Sequence, residues 1–165
     1  MKSTSSARMA AMKPSPSQLY EDDYYAWVQH QVRAVREHRI EEVDWDNVAE
    51  EIDDLGKSVR WSVQSHLETL VEHLLKLAHT HETPTARNAR LWTGSVKLAR
   101  TKIRRQLRAN PSLRPKLAEL FEEAYEDGRT RMLASIKIPE GAIPVTSPWT
   151  LEQVLDDSFF PKPTE

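Results

Sequence analysis

DWDNVAEEIDDLGKSVRWSVQSHLETLVEHLLKLAHT, residues 44–80, decides the fold. Its apolar positions Val48, Ile52, Leu55, Val59, Val63, Leu67, Leu70, Leu74 and Leu77 cover 29 residues in eight steps, which is the α-helical period. Beyond Leu67 the apolar arc widens to take in Val71, Leu75 and Ala78, so the second half of the helix should be buried on more than one side. A straight helix of this length would run about 52 Å at 1.5 Å per residue, longer than the roughly 40 Å across a domain of this size. Gly56 is the cheapest place to accommodate the difference, yet the apolar stripe keeps its phase from Ile52 and Leu55 to Val59 and Val63. The stretch therefore predicts one long central helix bent near Gly56.

Upstream, residues 1–17 are rich in Ser, Ala, Lys and Pro and cannot bury enough apolar surface to offset their ordering entropy; they are expected to be a disordered tail. From residue 18 onward the chain reads as a single domain. QLYEDDYYAWVQHQVRAVREHR, residues 18–39, places Tyr24, Trp27, Val28, Val32 and Val35 on one helical face, with Asp22 or Asp23 able to cap it and Arg33, Arg36 and Arg39 near its C-terminal end.

Downstream, Pro84 and its polar neighbours mark a turn, and residues 89–109 form a helix with Trp92, Val96, Ala99, Ile103 and Leu107 inward. Arg87, Arg90, Lys97, Arg100, Arg104, Arg105 and Arg108 are assigned to the opposite, strongly basic face. A further helix starts at Pro111 or Ser112 and buries Leu113, Leu117, Leu120, Phe121 and Ala124. IKIPEGAIPVTSP is loop, and Ser147 with Pro148 should open a short last helix. The prediction is an all-α antiparallel bundle of about four principal helices, with the long central helix and a short C-terminal one.

No cysteine is present, which removes disulfides and thiolate chemistry, and no apolar run approaches a membrane span or signal sequence; the chain is expected to be soluble and cytoplasmic. The net charge of −2 hides a segregation. Twelve acids lie between Glu21 and Asp54 against three arginines, whereas ten bases and no acid lie between Thr83 and Ala118.

In order along residues 20–161 stand Tyr20, Asp23 and Trp27; AEEIDDLG from Ala49 to Gly56; HLLK from His73 to Lys76; Trp92, Ser95, Val96, Arg100 and Ile103; NPSLR from Asn110 to Arg114; Tyr125 and Arg129; Pro148 to Thr150; and a DDSFFP ending. With these pieces the chain resembles a bacterial all-helical family catalogued as a domain of unknown function, number 29 in that series. The resemblance implies a small helical bundle and brings no catalytic residue and no cofactor with it.

Three constellations could carry function. Arg90, Lys97, Arg100, Arg104, Arg105 and Arg108 could bind an acidic protein or the phosphates of a nucleic acid, although no base-reading or stacking side chains are interleaved with them. His66 and His73 fall inside the apolar sector, two turns or roughly 10.5 Å apart along the axis; as metal ligands they would need help from other helices. The carboxylates Glu50, Glu51, Asp53 and Asp54 point several ways on a helix, and contact with the basic helix suits them better than acid–base catalysis. His79, His81 and Glu82 read as solvated side chains on a turn. The reading that results is a small non-enzymatic protein-interaction or regulatory module with another protein as partner and no membrane; the alternative is a nucleic-acid-binding helical domain, and the third is a metal-dependent enzyme around His66 and His73.

Overall fold

A computed structural model describes residues 15–79, 86–136 and 138–162. Most of the expected tail and the pair His81 and Glu82 lie outside the described residues. Among the described residues the regular secondary structure is helical, with no strand. The helices are α1 (Pro16–Asp22), α2 (Tyr24–Arg36), α3 (Trp45–His79), α4 (Ala86–Ala109), α5 (Leu117–Ser135) and α6 (Leu151–Leu155). None is long and apolar enough to cross a membrane.

The helix expected over residues 18–39 is two. Ser15 caps α1 through a capping box with Gln18, so helix begins two residues inside the segment assigned to the tail. The chain leaves helical geometry at Asp23, whose carboxylate accepts from the Ala26 N–H at 2.9 Å and starts α2. Residues Pro111–Lys116 wind as a 3-10 turn, and α5 begins only at Leu117, because Pro115 offers no N–H and crowds Arg114 out of α geometry. The last helix begins at Leu151 rather than after Ser147: Thr150 and Gln153 form a second capping box, while the Ser147 hydroxyl closes a local turn onto Trp149.

α3 runs unbroken through Gly56, and by contacts the chain falls into two compact units, residues 1–56 and 57–165. A Cβ added at Gly56 would meet nothing within 4 Å. Gly56→Ala is therefore expected to stabilise α3 by about 0.5–1 kcal/mol through backbone entropy alone, read as a raised midpoint in urea; a lowered midpoint would mean that α3 needs glycine there.

The second unit holds the main core. α3 contributes Val63, Leu67, Leu70, Val71, Leu74 and Leu75, α4 contributes Val96, Ala99, Ile103 and Leu107, and α5 contributes Leu117, Leu120, Phe121, Ala124, Tyr125 and Met132; Ile143 and Val154 close it from the C-terminal segment. Val71, Leu75 and Ala78, the residues that widen the arc in the sequence, are all buried. Leu77 is only partly buried, and Trp92 is half-buried. His79 is no turn residue: it ends α3 and is buried.

The first unit is different. Its described apolar core is Trp27, Ala34 and Val43, with Gln31 buried beside them. Ile52 and Leu55, in phase with the buried leucines further along α3, are 63% and 68% exposed.

Candidate functional site: an apolar groove on a helical hairpin

Three aromatic rings fix the hairpin of α1–α2 and the first half of α3. Tyr20 packs edge-on against Trp27 at 4.8 Å between centroids, and Tyr24 stacks on Trp27 at 5.8 Å. Both phenols donate to the Glu51 carboxylate, at 2.9 Å from Tyr20 and 2.6 Å from Tyr24. The Trp27 indole N–H donates to Asp44 Oδ2 at 3.3 Å, and the Asp44 N–H donates to Gln31 Oε1 at 2.8 Å. Glu51 is thus an acceptor for two tyrosines. Tyr20, Asp23, Trp27 and Glu51, all in the motif residues of the first unit, have structural work: one caps, three clamp.

The clamp has a pH signature. The hydrogen bond to Glu51 is the main cause that pushes the Tyr20 phenol from 10.0 up to about 12, and the same bond raises Tyr24. Because the folded value lies above the unfolded one, this contribution to stability is complete below pH 10 and is lost as pH rises toward 12. Phenolate absorbance followed through an alkaline titration should show three late-ionising tyrosines in the wild type, of which Glu51→Gln returns Tyr20 and Tyr24 toward 10 and leaves Tyr125, raised by burial, late; an unchanged titration would remove the clamp.

Above the clamp the hairpin opens into a groove of about 390 Å³ lined by Tyr24, Trp27, Val28, Gln31, Val32, Val35 and Arg36 from α2 and Val48, Glu51, Ile52 and Leu55 from α3. Tyr24, Val32, Val35, Ile52 and Leu55 are all substantially exposed there. Isolated exposed apolar side chains are ordinary; five converging on one concave face are not. The sequence places these residues on helical faces and in that sense shows the stripe; what it missed is that the face is bare. The available signal was the narrowness of the apolar arc before Gly56.

The basic helix face is smaller than its sequence suggests. Arg100 does not belong to it: the side chain is 0% exposed, and its guanidinium donates to the carbonyls of Val154 (2.8 Å), Asp157 (3.4 Å) and Phe159 (2.7 Å) and lies 5.0 Å from the Phe160 ring centre. Burial lowers its pKa, with Asp157 and Asp156 opposing, and an arginine stays cationic regardless. Arg104 is half-exposed and paired with Asp157 at 2.9 Å. Arg90, Lys97, Arg105 and Arg108 remain exposed on α4.

The histidines do not enter the dry interior expected for them; both are half-buried. His73 Nδ1 lies 2.8 Å from the Thr69 carbonyl, which only accepts, so that nitrogen carries the proton. His66 has its pKa lowered by burial and then by the charge of Lys102, a neighbour that repels a metal cation. Neither lines the hairpin groove or the second cleft, and among the described residues no three His, Asp or Glu side chains are grouped to hold a metal.

That second cleft, of about 730 Å³, lies beside α5 and the C-terminal segment and includes Phe121, Tyr125, Arg129, Trp149 and the carboxylates Glu122, Glu126 and Glu152. Tyr125 and Arg129 are occupied locally, the phenol donating to the Pro144 carbonyl at 2.8 Å and Arg129 Nε to that of Ile143 at 3.4 Å.

The sequence profile of the family described as a domain of unknown function, DUF29, matches residues 19–160, and the chain belongs to that family. Neither the comparison with curated proteins nor that with solved structures returns a match.

Proposed function

We propose that this DUF29 member is a non-enzymatic protein-interaction module, working in the cytoplasm, and that its docking surface is the hairpin groove between α2 and the first half of α3. The observation that carries the reading is the convergence of Tyr24, Val32, Val35, Ile52 and Leu55, all exposed, on one groove. A groove of helical walls lined by valine, isoleucine and leucine suits the apolar face of a partner helix, which would supply knobs for the gaps between side chains. The nucleic-acid alternative loses support from the same structure, because Arg100 and Arg104 are engaged within the chain.

Site-specific photo-crosslinking tests the reading. A photoreactive residue in place of Ile52, irradiated in host lysate, should give protein adducts that the same probe at exposed Thr101 does not, and Leu55→Glu should abolish them. No adduct at position 52, or equal labelling from both positions, would count against it.

A further inference from the structure

We propose that the occupant of the groove is a second copy of this chain, docked about a two-fold axis with α2 running antiparallel to its counterpart. The inference rests on the interaction reading above and names the partner.

Two observations lead to it. The first is how little the hairpin buries: Trp27, Ala34 and Val43 are its only buried apolar side chains among the described residues, in a unit of some forty described residues. Units of that size seldom hold together on so small a core, and association is one of the usual remedies. The second is the charge on α2. Glu21 and Asp22 stand exposed just before it, Arg33 and Arg36 stand exposed in its last turn, and Val28, Val32 and Val35 lie between.

An isologous interface must complement itself. Turned about a two-fold axis, α2 brings the acids that precede it, Glu21 and Asp22 at the end of α1 and its own cap Asp23, against the basic end of its copy, twice, with the valines meeting at the centre. From Asp23, which caps α2, to Arg36 is about 20 Å at helical rise, enough to flank an apolar contact with a charge contact at each end. A parallel arrangement would set acid on acid and base on base, which disfavours it. The surface that matches this one is therefore the same surface reversed.

Sedimentation velocity of the full chain over a concentration series reads the outcome, with circular dichroism confirming helix content in each variant. The wild type should show a reversible monomer–dimer equilibrium that weakens with salt. Arg33→Glu with Arg36→Glu makes both ends acidic, and Glu21→Lys with Asp22→Lys makes both ends basic; each double variant alone should dimerise at least about 100-fold more weakly. Mixed in equal amounts, the two should restore a heterodimer, because every end contact again pairs opposite charges. A wild type that stays monomeric throughout overturns the proposal, as does a dimer indifferent to both double variants or a mixture that fails to re-associate. A monomeric chain that still crosslinks another protein through position 52 overturns the second copy alone and leaves the interaction reading standing; a monomeric chain that crosslinks nothing there overturns both.

Discussion

Arg100→Met is expected to cost about 3 kcal/mol or more, and to release the C-terminal segment before the rest of the second unit unfolds. The guanidinium is wholly enclosed and gives hydrogen bonds to three carbonyls, those of Val154, Asp157 and Phe159. Methionine fills much of the volume but leaves those acceptors without donors, and each buried orphan costs about 1–3 kcal/mol. Lysine would keep the charge and lose the planar fork, so Arg100→Lys should recover only part of the loss. Urea unfolding gives the magnitude, and hydrogen exchange at the amides of residues 151–160 gives the location. Wild-type stability in Arg100→Met would contradict the clasp. A nucleic-acid test by mutation accordingly belongs to Arg90, Lys97, Arg105 and Arg108, since losing Arg100 would weaken any activity by weakening the fold.

Gly128→Val should be as damaging, for a steric reason. Gly128 lies in α5 where a Cβ would stand 2.9 Å from the Glu68 carbonyl oxygen and 2.9 Å from Val71 Cβ and Cγ1 on α3. One obstacle is backbone and the other is a stiff β-branched side chain that is itself fully buried, so relief requires the two helices to part. Overpacking of this kind costs about 1–3 kcal/mol, and valine, branched at the offending carbon, belongs at the upper end. Alanine should also destabilise, even though in a free helix it outranks glycine by about 1 kcal/mol. The opposite signs expected at Gly128 and Gly56, two helical glycines, follow from what stands beside each.

The fold was largely legible because periodicity reports burial directly. The stripe through Val63, Leu67, Leu70 and Leu74 and the widening at Val71, Leu75 and Ala78 identify a helix and its buried half, and the structure places them so. The break at Asp23 and the 3-10 turn over Pro111–Lys116 were harder, since they depend on which of two nearby caps wins and on how a second proline is accommodated. Arg100 could have been found: it is four residues after Val96, three before Ile103 and seven before Leu107, so its phase is that of the apolar face. Residue type outweighed phase in assigning it to the basic side. The acidic run gave no hint that Glu51 would hold Tyr20 and Tyr24, because both phenols come from residues 27 or more positions away. The bare groove lay beyond reach for a different reason. Helical phase says which side chains share a face, and whether anything covers that face is a matter of tertiary structure.

Along one helix, α3 carries a single apolar stripe that is core from Val63 onward and open surface at Ile52 and Leu55. A glutamate scan of that stripe, read by urea unfolding at a concentration low enough for the chain to be monomeric, tests it most directly. Ile52→Glu and Leu55→Glu should shift stability by no more than about 0.5 kcal/mol, and Leu55→Glu should abolish crosslinking from position 52, whereas Val63→Glu and Leu67→Glu should each cost more than about 3 kcal/mol by burying an unpaired carboxylate. If Ile52→Glu unfolds the monomer as Leu67→Glu does, the groove is core and the interaction surface does not exist.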